Sequence, residues 1–490
     1  MISVFLREQK RYTQAELIKE FRCSEDRAVH LIRRLKEFGV LKAVNATDAQ
    51  KNLSDLFDED IEIADVEAGE NEYFYVVTFV GVIIIEGYVL KCYPKYIMGN
   101  IAPTAEIKQV LKVLEKYGSK EQIIRIYNET SDGSAFNILA LMLFLLRDYF
   151  EYGSYANTQD IIETNGSGEI LWDKTINETF ALLSNSRPYY PKLLTMKREN
   201  DDSDYFKRLH ECILTKCSEE MDNADLLNLF DIVGVDISDE QMDDFGDKEY
   251  ILERIANELN MQFNTRKQLL LKTLYAYISN SGALDAMDCF SMFGTNNFNL
   301  VWEKVCAEVM DNQLRTPLGG LRLPVPLAEN YHGRRHQPLI ELIEKPIWMG
   351  IDAEGDAFDK TAADTLIPDI VSIVKNDGEF QFIVSDAKYY NMQFESSKPL
   401  RGQPGIESVT KQYLYQLAFH HFVEDHLIQT IHNCFLMPTD QLEIIIKGQV
   451  AFSILDDLGL QSIRVRLLPA QTMYEHYIEN SKLDIQLLGL

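Results

Sequence analysis

The stretch that most restricts how this chain can fold runs from Leu366 to Tyr390, where an apolar strand ends in charge. Phe380, Phe382 and Val384 fall on one side of an alternating pattern, and Ile383 and Ala387 on the other, which predicts a strand covered on both faces. Asp386 and Lys388 continue the alternation on the side of Val384. Charge at the end of a buried strand needs a partner or a metal, because an isolated charge is costly to desolvate. Upstream, Asp369-Ile370-Val371-Ser372-Ile373-Val374 reads as a second strand, and Asn376-Asp377-Gly378 between the two is a turn signal. Antiparallel pairing then brings Asp369, which opens the first strand, beside Asp386, which closes the second. Two carboxylates so close either repel, with one pKa rising, or hold a divalent cation through hard oxygen ligands. Such a cation would position a water and stabilise charge on a phosphodiester, with Lys388 orienting or helping to deprotonate that water.

Pro368-Asp369 followed by Asp386-Ala387-Lys388, with the two aspartates 17 residues apart, resembles the PD-(D/E)XK signature of restriction-type and recombination-type nucleases. The resemblance implies that Asp369 and Asp386 bind metal and that Lys388 assists the nucleophile. A turn aspartate and a surface ion pair form the plainer alternative; placement at strand ends favours the nuclease. In Phe298 to Met310, apolar residues at 298, 301, 302, 305 and 309 predict a helix, and Glu303 adjoins its apolar face. Nucleases of this type often begin with such a helix, so Glu303 is the candidate for a third metal ligand, against an ordinary solvated glutamate. Val409 to Phe419 predicts a helix after the lysine strand, resembling the glutamine-bearing helix of several members of the fold. Gln412 and Gln416 are four residues apart on one face, and the sequence leaves open which serves the site, Gln412 being the first candidate.

A chain of 490 residues, 46% hydrophobic, has room for about three domains and is not disordered. The apolar run Ile138 to Leu146 is too short to span a bilayer, and no charged-then-apolar leader precedes residue 30. The expectation is a soluble cytoplasmic protein without a membrane partner. Seven scattered cysteines suit free thiols in a reducing compartment. His210, Cys212 and Cys217 come nearest to a metal cluster, but their spacing matches no common zinc pattern, so core or surface roles are expected. A net charge of −28 argues against a lone, tightly binding nuclease, since Lys and Arg contacts to phosphate supply most nucleic-acid affinity. Either basic residues cluster locally, as in His332-Gly333-Arg334-Arg335-His336, or a partner brings the DNA.

At the amino terminus, Thr13 to Phe21 and Asp26 to Phe38, with Ser24 as N-cap, read as two helices joined by a tight turn; Gly39-Val40-Leu41 follows as in a winged helix-turn-helix. Arg27, His30, Arg33 and Arg34 along the second helix suit DNA or protein contact equally. Ser54 to Glu72 is an acidic connector. Tyr73 to Ile85 and Tyr88 to Ile97, around Glu86-Gly87, predict a hairpin or small sheet whose arms complete the wing. Tyr205 to Asn280 reads as helical throughout, bounded near Glu199 and at Ser279 to Asp285.

Val80-Gly81-Val82 with Tyr93-Pro94-Lys95-Tyr96-Ile97 resembles the amino-terminal part of McrC-type restriction subunits. Gly166 to Ile176 and Arg187-Pro188-Tyr189-Tyr190-Pro191 resemble the LlaJI-type restriction endonuclease family, and with the nuclease residues the likeness runs from about residue 73 to the end. The fold expected is α/β and multidomain. Residues 1–100 form a winged-helix-like, β-rich domain, 101–200 a motor-contact region, 201–285 a helical linker, and 286–490 a PD-(D/E)XK mixed sheet flanked by helices. The resemblance implies a magnesium-dependent endodeoxyribonuclease, with manganese as the alternative cation, of type II or McrBC-like kind. It would cut double-stranded foreign DNA to leave a 5′-phosphate, with a McrB-like AAA+ GTPase as partner and a DNA methyltransferase as a functional link. No Gly-x-x-x-x-Gly-Lys-Ser/Thr loop occurs, so GTP would enter only through the partner. The winged-helix-like start has no placed counterpart in McrC-type subunits, which leaves the DNA-recognition role open. The competing reading is a nuclease-inactive subunit that stimulates a motor or contacts DNA through the winged helix; the intact Asp-x-Lys argues against it.

Overall fold

Apolar side chains on both faces of its central strands build the carboxy-terminal sheet as expected. The structure, a computed structural model, describes residues 1–45, 73–99, 102–118, 137–185, 187–200, 204–280, 290–353, 355–376 and 378–490. The acidic stretch Ser54 to Glu72, Asp377 of the predicted turn and most of the two proposed boundaries lie outside the described residues. The chain divides into two compact units: Met1, Ile84–Tyr88 and Asn128–Met292 in one, and Ile2–Ile83, Val89–Tyr127 and Phe293–Leu490 in the other.

In the larger unit, five strands form a mixed sheet in the order Ile370–Asn376, Glu379–Ala387, Thr430–Thr439, Ile463–Pro469, Ile445–Val450. The first two strands pair antiparallel, and the next two pairings are parallel. A parallel step needs a crossover, and helix Ile406–Asp425 supplies it. Val371, Ile373, Phe382 and Val384 pack under that helix against Tyr415, Phe419 and Phe422. Ile383 and Ala387, also buried, alternate to the opposite face. Helix Phe298–Val309 buries Val301, Trp302, Val305 and Val309, the face read from periodicity.

The amino-terminal helices are Gln14–Phe21 and Glu25–Glu37. Thr13 and Glu16 form a reciprocal capping box, with Glu16 N–H donating to Thr13 Oγ1 at 3.2 Å and Thr13 N–H to Glu16 Oε2 at 2.8 Å. Ser24 occupies the next N-cap with extended backbone but makes no side-chain cap bond. Arg11–Tyr12, Tyr73–Val77 and Leu41–Asn45 form a small antiparallel sheet beside them. Of the predicted hairpin, only the opening part of its first arm, Tyr73–Val77, therefore joins this sheet. Val80–Ile85 and Tyr88–Tyr93 instead join Ile2–Arg7 and Phe290–Thr295 in a separate four-stranded sheet. The reason is burial: every residue of both strands is buried, whereas a wing exposes one face. Gly81 adopts φ 142°, and a Cβ there would lie 2.1 Å from the Phe293 carbonyl oxygen, so this crossing of strands requires glycine.

The smaller unit contains helices Ile138–Tyr152, Tyr205–Asn223, Lys248–Met261 and Thr265–Ser279. The segment read as continuously helical is broken between Asn223 and Lys248, where a turn with Asp225 and Asp231 at positive φ leads to the short helix Met242–Phe245. Arg266 grips Asp148 with two bonds, 3.0 and 2.6 Å, and also donates to the Gly153 carbonyl. Of the core and surface roles left open for His210, Cys212 and Cys217, the structure shows the core: all three are buried. His210 Nδ1 accepts from the Tyr155 N–H at 2.9 Å, and burial, reinforced by Arg266, depresses its pKa to about 3.

The unfolded chain binds a proton at this imidazole near pH 6.5, whereas the folded one resists it until about pH 3. The resulting stability is complete above the unfolded value and is lost as pH falls through this window. Thermal melts between about pH 7 and pH 4 should show His210→Gln losing less stability than wild type; parallel curves would count against the assignment. Among the described residues no helix is long and apolar enough to cross a membrane.

Candidate active site

Strand register sets the two acids side by side. Ile370 lies opposite Ser385, so Asp369 and Asp386, one step further along the ladder, face each other under the crossover helix. Asp386 is 5% exposed, a depth at which a carboxylate needs compensation. Lys388 Nζ provides it at 2.9 Å from Asp386 Oδ2. Asp369 Oδ2 accepts the Ala387 N–H at 2.9 Å, which ties the opening of one strand to the end of the other.

Residues to which the sequence assigns no role at the site hold this geometry. Asn312, just beyond the Phe298–Val309 helix, donates to the Asp369 carbonyl at 2.7 Å and accepts the Val371 N–H at 3.1 Å. The Leu436 carbonyl receives both the Lys388 N–H at 2.8 Å and the Trp302 indole N–H at 3.2 Å, linking the lysine to the helix that carries Glu303. Tyr415 donates to the Ile367 carbonyl at 3.0 Å, beside the Pro368-Asp369 turn.

Burial raises the Asp369 pKa well above its ordinary 3.8; the hydrogen bond and charge of Asp386 and the charge of Glu303 add to this, and Lys388 opposes it. Without a cation the aspartate pair therefore keeps a proton at neutral pH. Glu303 is also raised, by burial first and then by Asp386, with Lys388 opposing. For Lys388, burial favours the neutral amine, but Asp386 and Asp369 outweigh it and lift the pKa above 10.5. The lysine thus stands as an ammonium.

Three of the predicted residues come together directly, and Glu303 joins them at electrostatic range. Among the described residues no three His, Cys, Asp or Glu side chains are arranged to hold a metal by themselves. A magnesium ion nonetheless fits, because it takes one or two carboxylates and completes its shell with water and substrate phosphate oxygens. Two facing carboxylates that share a proton are a donor set of that kind.

Gln412 is fully buried and donates to the Val384 carbonyl at 2.9 Å, two residues before Asp386, while its Oε1 has no hydrogen-bond partner among the described residues. Gln416 Oε1 accepts from Asn433 at 2.6 Å and from the Gln461 N–H at 3.1 Å, so it fastens the helix to the sheet. Of the two, Gln412 lies against the strand that carries Asp386 and leads to Lys388. In the basic segment, Arg334 is bound to Gln337 and to the Glu341 carbonyl, whereas Arg335 and His336 are exposed. On the second amino-terminal helix His30 and Arg33 are exposed and Arg34 pairs with Glu37 at 3.8 Å.

The model of the LlaJI restriction endonuclease family matches residues 79–319 and 334–468, and the chain belongs to that family. The matched ranges contain Glu303, Asp369, Asp386, Lys388 and Gln412. The chain is similar to the type II restriction enzyme BsuMI component YdjA of Bacillus subtilis (strain 168), with 26% identity over 414 residues, 83% of this chain and 81% of that protein. Among solved structures it is similar to a half-complex from a tetradecameric assembly of Thermococcus gammatolerans McrB AAA+ hexamers with bound McrC. That likeness has 12% identity and a TM-score of 0.36, and covers 98% of this chain and 99% of the other. The Thermococcus gammatolerans McrBC complex is also similar, with 13% identity and a TM-score of 0.26, over 62% and 85% of the two chains.

Proposed function

We propose that this chain is the nuclease subunit of a restriction system, hydrolysing phosphodiester bonds of foreign double-stranded DNA at a PD-(D/E)XK site. The observation that carries the proposal is the buried carboxylate pair with the Lys388 ammonium 2.9 Å from Asp386. Asp369 and Asp386 would hold magnesium or manganese, with Glu303 reinforcing the negative field. When bound, the cation would polarise the scissile phosphate and lower the pKa of a water. Lys388, kept protonated by its two acidic neighbours, orients that water or the phosphate by donating hydrogen bonds rather than by abstracting a proton. Gln412 fixes the strand end from the helix side.

A net charge of −28 favours a partner that delivers the DNA, and a McrB-like AAA+ GTPase fits that role. GTP would then act only through the partner. The winged-helix-like start offers His30 and Arg33 for contact with DNA or with protein.

The test is incubation of duplex DNA with the full chain, the partner, GTP and magnesium, beside the same mixture in chelator. Fragments bearing 5′-phosphates should form only in the first. Cleavage that persists in chelator sinks the metal-site reading; GTPase stimulation without any cleavage would instead favour the nuclease-inactive subunit.

A further inference from the structure

The sheet strand that carries the site ends at Ala387, and Lys388 and Tyr389 lie beyond it. Lys388 meets Asp386, whereas Tyr389 has its hydrogen-bond partner elsewhere. It enters a pocket made largely by the amino-terminal part of the chain. The Tyr389 hydroxyl donates to Glu8 Oε2 at 2.5 Å, and its ring lies 4.4 Å from Lys95 Nζ and 5.3 Å from the ring of Phe298. Tyr96 stands edge-on at 6.3 Å.

Glu8 is 2% exposed, and its carboxylate also accepts the Lys95 N–H at 3.2 Å. Its own N–H donates to the Tyr93 carbonyl at 2.9 Å, which fixes it immediately after the strand Ile2–Arg7. Burial raises the Glu8 pKa, and Lys95 and Tyr389 oppose that rise. A buried acid is expensive unless its partners are specific, so the pair is a rigid anchor.

We infer that Glu8 is a positioning residue for the nuclease site: by gripping the Tyr389 hydroxyl it fixes the chain just beyond the strand end and so holds the Lys388 ammonium on Asp386. The inference rests on the nuclease reading above and adds to it a residue 381 positions away from Tyr389 in the sequence. The amino-terminal strand is thereby part of the scaffold of the catalytic lysine, and a displacement there reaches the lysine through one hydrogen bond.

Glu8→Gln, Glu8→Leu and Tyr389→Phe, made in the full chain and assayed with partner, magnesium and GTP, test this. Supporting residues of this kind typically cost about 10–100-fold when removed. Tyr389→Phe and Glu8→Leu should lower kcat by that range with KM for DNA within about twofold of wild type, since DNA binding is untouched. Glu8→Gln, which keeps an acceptor, should recover most of the rate. Tyr389→Phe combined with Glu8→Leu should be no worse than the poorer single variant, because both break the same bond.

Melting curves separate misfolding from misplacement, and the nearly isosteric Tyr389→Phe decides the matter if Glu8→Leu does not fold. A merely structural bond would lower the melting temperature and leave the kcat of the folded protein at the wild-type value, and that result overturns the inference. Lys388→Ala in the same assay keeps the two ideas apart. If wild type cleaves, Lys388→Ala does not, and Tyr389→Phe cleaves at full rate, this inference alone falls. If wild type and Lys388→Ala behave alike, the nuclease reading falls and takes the inference with it.

Discussion

Lys388→Ala is expected to lower DNA cleavage by about 10²–10⁴-fold while binding of the partner and stimulation of its GTPase stay unchanged. Among the described residues the lysine is the one ammonium placed on the buried carboxylates, 2.9 Å from Asp386, and its removal leaves the site without that counter-ion as well as removing the proposed donor to water or phosphate. Lys388→Arg should rescue poorly, because a planar guanidinium is bulkier than an ammonium and presents its donors as a rigid fork. Asp369→Ala and Asp386→Ala should lose activity to a similar extent, since each removes a proposed ligand of the cation. Single-turnover cleavage of a duplex in the presence of the partner measures all four. Wild-type rates in Lys388→Ala or in Asp369→Ala would end the assignment of this site.

The part of the site that sequence could show is the part governed by local periodicity. Alternation through Phe380 to Lys388 and the opening of the upstream strand at Asp369 were enough to predict that the two acids meet, and the Ile370–Ser385 register bears this out. Helical spacing likewise placed Glu303 beside a buried face, although it could not say how near that face lies to the aspartates. What escaped were contacts between distant segments. Asn312, Leu436 and Glu8 carry no local signature, since an asparagine after a helix, a strand carbonyl and a glutamate after a short strand are common. The hairpin around Glu86-Gly87 forms as expected, but the sequence of its first arm argues against a place in the wing. Val80-Gly81-Val82-Ile83-Ile84-Ile85 is apolar without alternation, which marks a strand covered on both faces and not an arm of a wing. The break after Asn223 is a comparable case, because Asp231-Ile232-Val233-Gly234 combines β-branched residues with a glycine inside a stretch read as helix.

Asp369→Asn is expected to stabilise the metal-free protein while abolishing cleavage, and the sign follows from the pair's shared proton. Burial and the neighbouring Asp386 raise the folded pKa of Asp369 above the unfolded 3.8, so the native state binds the proton more tightly than the unfolded chain. The stability linked to that proton is complete below the unfolded value and is lost as pH rises through the folded one. Wild type should therefore lose melting temperature toward the alkaline side, whereas the asparagine variant, neutral throughout, should be flatter and lie above it. The gap should amount to about 2–4 °C for each kcal/mol of repulsion relieved. Magnesium should reverse the order by binding the native carboxylates, since a ligand of the folded state alone raises stability by mass action, and the variant has lost one of the two acids. Melts from about pH 4 to about pH 10, with magnesium and with chelator, measure both effects. A wild-type curve parallel to that of the variant under both conditions would mean that the acids do not share a proton and do not form a cation site. The opposite outcome would show a site that costs the metal-free fold stability because its geometry is complementary to a bound ion.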